Sequence, residues 1–145
     1  MYQNEMHLSF LGLSQNESFA RMAVAAFATQ LNPTIEELTD LRTAVSEAVT
    51  NAIVHGYEGR IGTVYMDCFI HGRTFEVTVR DEGKGIEDIS LAMQPFYTGT
   101  PHLERSGMGF SVMQAFMDSL HVSSAPGKGT TVSMKKLIPS VNDDA

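Results

Sequence analysis

Apolar and polar residues alternate in three separate parts of the chain, which predicts strands there. In "EMHLSF", Met6, Leu8 and Phe10 share one side of a first strand, expected at the edge of a sheet. "GTVYMDCFI" and "RTFEVTVR" predict a β-hairpin that turns at "HG". "LHVSSAPGKGTTVSMKKL" predicts a strand, a turn and a strand. About five strands, mostly in consecutive hairpins, are therefore expected.

Apolar residues recur at helical spacing between the first strand and the hairpin, and this predicts two helices. The first runs from about Gln15 to Leu31, and Ser14 and Glu17 have the spacing of a capping box at its start. The second begins with the same spacing at Thr34 and Glu37.

The second predicted helix ends at Gly56, which is expected to adopt the left-handed conformation of a helix C-cap. A third helical pattern, rich in methionine, follows the glycines of "SGMGF" and runs from Gly109 to Leu120. Its methionines are interpreted as core filler.

The order of these elements favours an α+β fold. We expect a two-layer sandwich in which three helices cover one face of a mixed, mostly antiparallel sheet. A repeated βαβ pattern is missing from the sequence, which argues against a Rossmann layout. Residues 1–138 are expected to form a single domain, and residues 139–145 a frayed tail.

Composition narrows the classes of function. The chain of 145 residues carries a formal net charge of −7, which argues against direct binding to nucleic acid. Cys68 is the only cysteine, so neither an internal disulfide nor a cysteine-based zinc site is possible. The sequence shows no signal peptide and no long apolar run, so we expect a cytoplasmic protein without membrane contact.

The first candidate for chemistry is a polar column on the second predicted helix. Glu47, Asn51 and His55 recur every four residues, and positions four apart lie about 40° apart around a helix. A carboxylate beside a carboxamide offers oxygen ligands for Mg²⁺, and the carboxylate can also accept a proton from a hydroxyl. A solvated helix face has the same pattern. His55 is interpreted as a cation near the C-terminal end of the helix.

The second candidate is "RDEGKGI", at the end of a predicted strand. Alternation places Asp81 on the apolar face of that strand, where a carboxylate needs a hydrogen-bond donor. The amino group of a purine could supply it, and Gly83 and Gly85 would let the backbone approach the ring. Alternatively, Asp81 caps a tight turn.

The third candidate is "ERSGMGF". Gly107 and Gly109 precede a helix whose free N–H groups can bind an anion, with Arg105 and Ser106 at the entrance. A flexible loop before a helix would have the same composition. The preceding residues 94–103, "QPFYTGTPHL", are predicted to form a mobile lid over a ligand.

Taken together, these motifs follow one another in the order of a known nucleotide site. The chain closely resembles the GHKL, or Bergerat-fold, ATP-binding superfamily from the first strand to about Leu137. Glu47 and Asn51 match its N box, "DEGKGI" its first glycine box and "SGMGF" its second. The resemblance implies binding of ATP and Mg²⁺.

The resemblance also implies a role for each matching residue. Glu47 would be the general base, Asn51 the Mg²⁺ ligand and Asp81 the residue that reads adenine. The remaining nucleotide-binding positions implied by the match are Gly83, Gly85, Arg105, Ser106, Gly107, Met108, Gly109 and Thr130.

Within the superfamily, the chain is most similar to the anti-sigma-factor serine kinases. This similarity rests on "NESFARMAVAAF", "VSEAVTNAIVHGY", "RDEGKGI" and "LERSGMGFSVMQAFMD". It implies a homodimer that inhibits a sporulation sigma factor and phosphorylates a serine on a STAS-type anti-anti-sigma factor. Arg21 matches a partner-contacting arginine, although an exposed helical arginine is usually only solvated.

Two other functions remain open at this point. The chain could be a nucleotide-gated binding protein that transfers no phosphoryl group, or a stand-alone ATP-binding domain like that of a histidine kinase. Glu47 favours the serine kinase, because Asn51 alone could hold the metal.

Overall fold

A computed structural model of the chain describes residues 3–93 and 109–139, and the strands of this part form one sheet. They are β1 (Gln3–Leu11), β2 (Thr63–His71), β3 (Thr74–Asp81), β4 (Ser119–Ala125) and β5 (Gly129–Leu137). Their spatial order is β1-β2-β3-β5-β4, and each neighbouring pair is antiparallel. The predicted edge position of β1 and the β2–β3 hairpin are confirmed. The expected mixed sheet is antiparallel throughout these residues.

The helices are α1 (Ser14–Ala28), α2 (Ile35–Thr50), α3 (Ile89–Ala92) and α4 (Gly109–Phe116). A 3₁₀ turn, Thr29–Leu31, extends α1, and a π-helical turn, Asn51–Gly56, extends α2. The three predicted helices and the α+β class are confirmed, whereas the single turn of α3 was not predicted. None of the helices in the described part of the chain has the length and apolarity needed to span a membrane.

The predicted end of the third helix at Leu120 is wrong. The helix ends at Phe116, and Leu120 lies in β4, where it pairs with Met134. Asp118 explains the early end, because its N–H donates to the carbonyl of Lys135 (2.9 Å) and its carboxylate accepts from the N–H of Leu137 (2.6 Å). These bonds hold Asp118 against β5, so the chain continues as strand β4 instead of helix.

The two predicted capping boxes have different outcomes. At α2, Thr34 accepts from the N–H of Glu37 (3.1 Å) while the Glu37 carboxylate accepts from the N–H of Thr34 (2.8 Å), as predicted. At α1 the prediction is wrong, because the N-cap is Leu13 and no side chain caps the helix. Glu17 instead pairs with Arg21, one turn further along.

The core lies between one face of the sheet and the helices. Burial alternates along β2 and β3, and the apolar stripe of α2 is fully enclosed. Each such buried aliphatic or aromatic side chain contributes about 1.5–3 kcal/mol to folding. The largest fully buried side chains come from both layers: Phe75, Leu31, Leu41, Met66, Ile70, Met113, Met134, Ile138, Val24, Val45, Val49 and Val64.

Candidate functional site

The helix that carries the predicted polar column changes its geometry within the column. Glu47 lies in α2, but from Asn51 to Gly56 the backbone forms a π-helical turn. The N–H of Tyr57 bonds to the carbonyl of Ala52, five residues earlier, at 3.2 Å, which is the spacing of a π-helix. Glu47 lies in the last turn of α2, and Asn51 is the first residue of the wide turn. Such wide turns occur frequently at functional sites.

Gly56 ends this wide turn, and the prediction that it adopts the left-handed conformation is wrong. The glycines with positive φ in the described chain are Gly59, Gly72, Gly85, Gly127 and Gly129. Gly56 is needed for a different reason, because a Cβ atom there would lie 2.7 Å from Cγ of Asp81. The end of the helix thus touches the end of β3.

Asp81 lies on the apolar face of β3, as predicted. Its side chain shares that face with Phe75, Val77 and Val79, and Asp81 is only 3% exposed. Burial raises the pKa of Asp81, while backbone hydrogen bonds from Gly83 and Thr130 and the charge of Arg80 oppose this shift.

The alternative interpretation of Asp81 as a turn cap also has support. The N–H of Gly83 donates to Oδ1 of Asp81 at 2.9 Å, as in a turn capped by aspartate. An ionised carboxylate has about four acceptor positions. Capping the turn therefore leaves Asp81 able to accept from a ligand.

The two glycines after Asp81 make close contacts with the chain's own backbone. A Cβ atom at Gly83 would lie 1.9 Å from the carbonyl oxygen of Gly56, and one at Gly85 would lie 2.1 Å from that of Ala125. Gly85 also has a φ of +78°, a conformation that other residues rarely adopt. These glycines fix the loop between the wide helical turn and the β4–β5 hairpin.

Thr130 lies directly opposite Asp81 in the β3–β5 register. Among the residues that the structure describes, the polar or charged ones that are buried are Asp81 and Thr130. Side chains directly opposite each other in an antiparallel pair have Cβ atoms about 5 Å apart. The structure therefore brings together these two residues, which the sequence assigned to the same site.

Two supporting residues were missed at the sequence level. The hydroxyl of Tyr57 accepts from the N–H of Glu82 (2.8 Å), which anchors the start of the glycine loop. Ser124 in β4 contacts the hydroxyl of Thr130 at 2.8 Å. The alternation along β4 was the available signal, since it places Ser124 on the same side as Leu120 and Val122.

The second glycine box meets the helix column. Gly109 is the first residue of α4, and a Cβ atom there would lie 3.4 Å from Oε2 of Glu47. The other members of this predicted group, Arg105, Ser106, Gly107 and Met108, lie outside the described residues, as do the predicted lid and residues 140–145 of the predicted tail.

The three motifs therefore border one region of the fold. The helix that carries Glu47 and Asn51 ends against Asp81, and the start of α4 lies against Glu47. Arg21 lies on α1 and pairs with Ser18 and Glu17 of the same helix. Across residues 3–93 and 109–139, no group of three or more His, Cys, Asp or Glu side chains could hold a metal ion by itself.

Comparisons with known proteins show the family and the fold of the chain. A family model described as a histidine kinase-like ATPase domain matches residues 13–136. A solved structure of the RsbU and RsbW domains of Rv1364c from Mycobacterium tuberculosis contains the same fold, with a TM-score of 0.69 and 16% identity over 93% of this chain. The chain spans 32% of that longer protein.

Curated relatives match almost end to end. An anti-sigma F factor of Thermoanaerobacter sp. (strain X514) is 62% identical over 139 residues, which cover 96% of this chain and 97% of the relative. An anti-sigma F factor of Clostridium kluyveri is 58% identical over 142 residues, covering 98% of this chain and all of the relative. With the helix that carries its N box ending at Gly56 against Asp81 of the first glycine box, the chain belongs to the histidine kinase-like ATPase domain family, among the anti-sigma F factors.

Proposed function

We propose that this protein is an anti-sigma factor and an ATP-dependent serine kinase. It binds and inhibits a sporulation sigma factor, and it phosphorylates a serine on a STAS-type anti-anti-sigma partner. The anti-sigma role is supported by the names of relatives that are 54–62% identical. The kinase role is carried by the placement of Gly109 against the Glu47 carboxylate.

The base of ATP fits the end of the site around Asp81. The buried carboxylate can accept from the amino group of adenine while the apolar face of β3 packs beside the ring. Because burial raises the pKa of Asp81, a donor from the ligand would stabilise its ionised form. Thr130, opposite in β5, completes this wall.

The phosphates fit the other end, between α2 and α4. The lack of a side chain at Gly109 leaves space beside Oε2 of Glu47, and the N-terminus of α4 offers N–H donors to an anion. Asn51, one turn beyond Glu47, would hold Mg²⁺ through its carboxamide oxygen. Bound Mg²⁺ would neutralise charge on the phosphates.

Glu47 would act as the general base. It would take the proton of the partner's serine hydroxyl as the serine oxygen bonds to the γ-phosphorus and the bond to the ADP oxygen breaks. Arg105, Ser106, Gly107 and Met108 would contact the phosphates, and the preceding lid would close over them.

The partner surfaces are proposed separately from the nucleotide site. Arg21, whose side chain on α1 is 37% exposed, would contact the protein partners. β1 is an edge strand of the sheet in the described part of the chain, and joining two such edges would give the homodimer. A cytoplasmic location follows from a sigma factor as partner.

A transfer assay tests the proposal. We expect label from γ-labelled ATP to appear on a purified STAS-type partner, and not on a partner in which the target serine is replaced by alanine. Calorimetry on the same sample measures ATP binding. Binding without labelling of the partner would contradict the kinase and favour a nucleotide-gated binding protein.

Gly56→Ala tests the contact between the helix end and Asp81. The added Cβ atom would overlap the Asp81 carboxyl group, so we expect an ATP affinity about tenfold or more weaker, as measured by calorimetry. Gly59→Ala is the matched control, because nothing lies within 4 Å of its added Cβ atom and only local backbone strain results. Equal ATP affinity in both variants would show that the contact does not shape the site.

A further inference from the structure

Ser124 lies where β4 approaches the proposed base-binding end of the site. Its hydroxyl contacts three groups from separate segments: the N–H of Ile86 at 2.8 Å, the carbonyl of Gly129 at 2.9 Å and the hydroxyl of Thr130 at 2.8 Å. These partners belong to the glycine loop after β3 and to the start of β5. Ser124 thus connects the glycine loop after β3 with the start of β5, where the buried Thr130 lies.

Counting protons fixes the direction of each of these bonds. A serine hydroxyl has one donor and two acceptor positions. The Gly129 carbonyl can only accept, so it takes the Ser124 proton, while the Ile86 N–H can only donate. The remaining position on Ser124 is an acceptor, and Thr130 must therefore donate its own proton to Ser124.

This direction determines what Thr130 can offer to a ligand. With its proton used, the Thr130 oxygen keeps only acceptor positions. Directly opposite in the sheet, Asp81 also offers only acceptors when ionised. The side chains of Asp81 and Thr130 therefore form a wall that can accept hydrogen bonds from a ligand but has no side-chain proton to donate to it.

We propose that Ser124 is a positioning residue that sets the base specificity of the site. Because Ser124 accepts the Thr130 proton, the Thr130 oxygen is left to accept, and the wall is complementary to a purine whose amino group at position 6 donates to it directly. A purine with an oxygen at that position would face acceptor against acceptor. This inference rests on the proposed binding of ATP.

The test compares ATP with inosine triphosphate, which carries an oxygen in place of the amino group. We expect Ser124→Ala to free the Thr130 hydroxyl, which can then rotate and donate to that oxygen. The ratio of the Kd for inosine triphosphate to the Kd for ATP, both measured by calorimetry, should fall by about tenfold relative to the unmodified protein. Ser123→Ala is the control, since Ser123 is exposed and lies on the other side of β4; its ratio should not change.

Several outcomes overturn the inference. Weakening of both nucleotides by the same factor in Ser124→Ala would show that Ser124 only supports the loop. In a Thr130→Val background, which lacks the hydroxyl, Ser124→Ala should leave the ratio unchanged, so a further change there would also refute the mechanism.

Two other variants provide the same test if Ser124→Ala does not fold. Ser124→Thr is expected to keep the ratio, and Thr130→Val is expected to lower it. Failure of the unmodified protein to bind ATP would instead refute the proposed function.

Discussion

Glu47→Gln is expected to lower the rate of phosphoryl transfer by about 10²- to 10⁴-fold, the range typical for loss of a general base. Glutamine has nearly the same shape as glutamate but cannot accept the serine proton at neutral pH. The space beside Gly109 would be kept, so ATP affinity should change by less than about threefold. The check is a single-turnover transfer rate at saturating ATP and partner, together with a Kd for ATP from calorimetry.

Glu36→Gln is a suitable control for this variant. Glu36 lies on the same helix but is exposed in its first turn, and its replacement removes the same charge. It should leave both the transfer rate and the ATP affinity near their native values. Transfer at the native rate by Glu47→Gln would remove Glu47 from the role of base. An equal loss of binding and transfer would instead assign Glu47 to holding the nucleotide.

Local pattern predicted much of the fold because its signals come from neighbouring residues. The period-2 alternation of β3 extends through Val79 to Asp81 and correctly placed the carboxylate on the buried face. The capping box at Thr34 was likewise readable, since both of its hydrogen bonds join residues three apart.

The errors arose where distant contacts override local pattern. The sequence around Gly56 is typical of a helix cap, but the lack of a side chain there leaves room for the carboxyl group of Asp81, 25 residues further along the chain. The helix that was predicted to reach Leu120 stops earlier because Asp118 bonds to β5. Constant helical spacing also could not reveal the wide turn that begins at Asn51.

The candidate site shows the same division between local and distant signals. Motif spacing selected Glu47, Asn51 and Asp81, and the contacts of Gly56 and Gly109 support their placement around one region. Ser124 was missed because its partners, Ile86 and Gly129, are brought to it by the sheet and the glycine loop. Alternation along β4 indicates which side of the sheet Ser124 faces, but it does not identify these hydrogen-bond partners.

Asp81→Asn is expected to separate nucleotide binding from stability. Asparagine keeps an oxygen that can accept from the N–H of Gly83, so the turn should persist. Its amide N–H₂ would face the donor of adenine, and loss of a charged acceptor should weaken ATP binding by about 100-fold. Glu82→Gln, which changes the exposed neighbouring carboxylate, is the control and should bind ATP normally.

The stability of the Asp81→Asn variant provides an independent check through pH. Burial raises the pKa of Asp81, so the folded protein binds this proton more tightly than the unfolded chain does. The carboxylate therefore lowers the free energy of unfolding above its folded-state pKa, and this cost disappears as the pH falls through that pKa towards the ordinary value. Without ATP, the variant should be at least as stable as the native protein in urea at pH 7, with a difference that shrinks in acid. Normal ATP affinity in this variant would remove Asp81 from the adenine site. A large loss of stability at pH 7 would instead show that the turn after β3 needs the charged carboxylate.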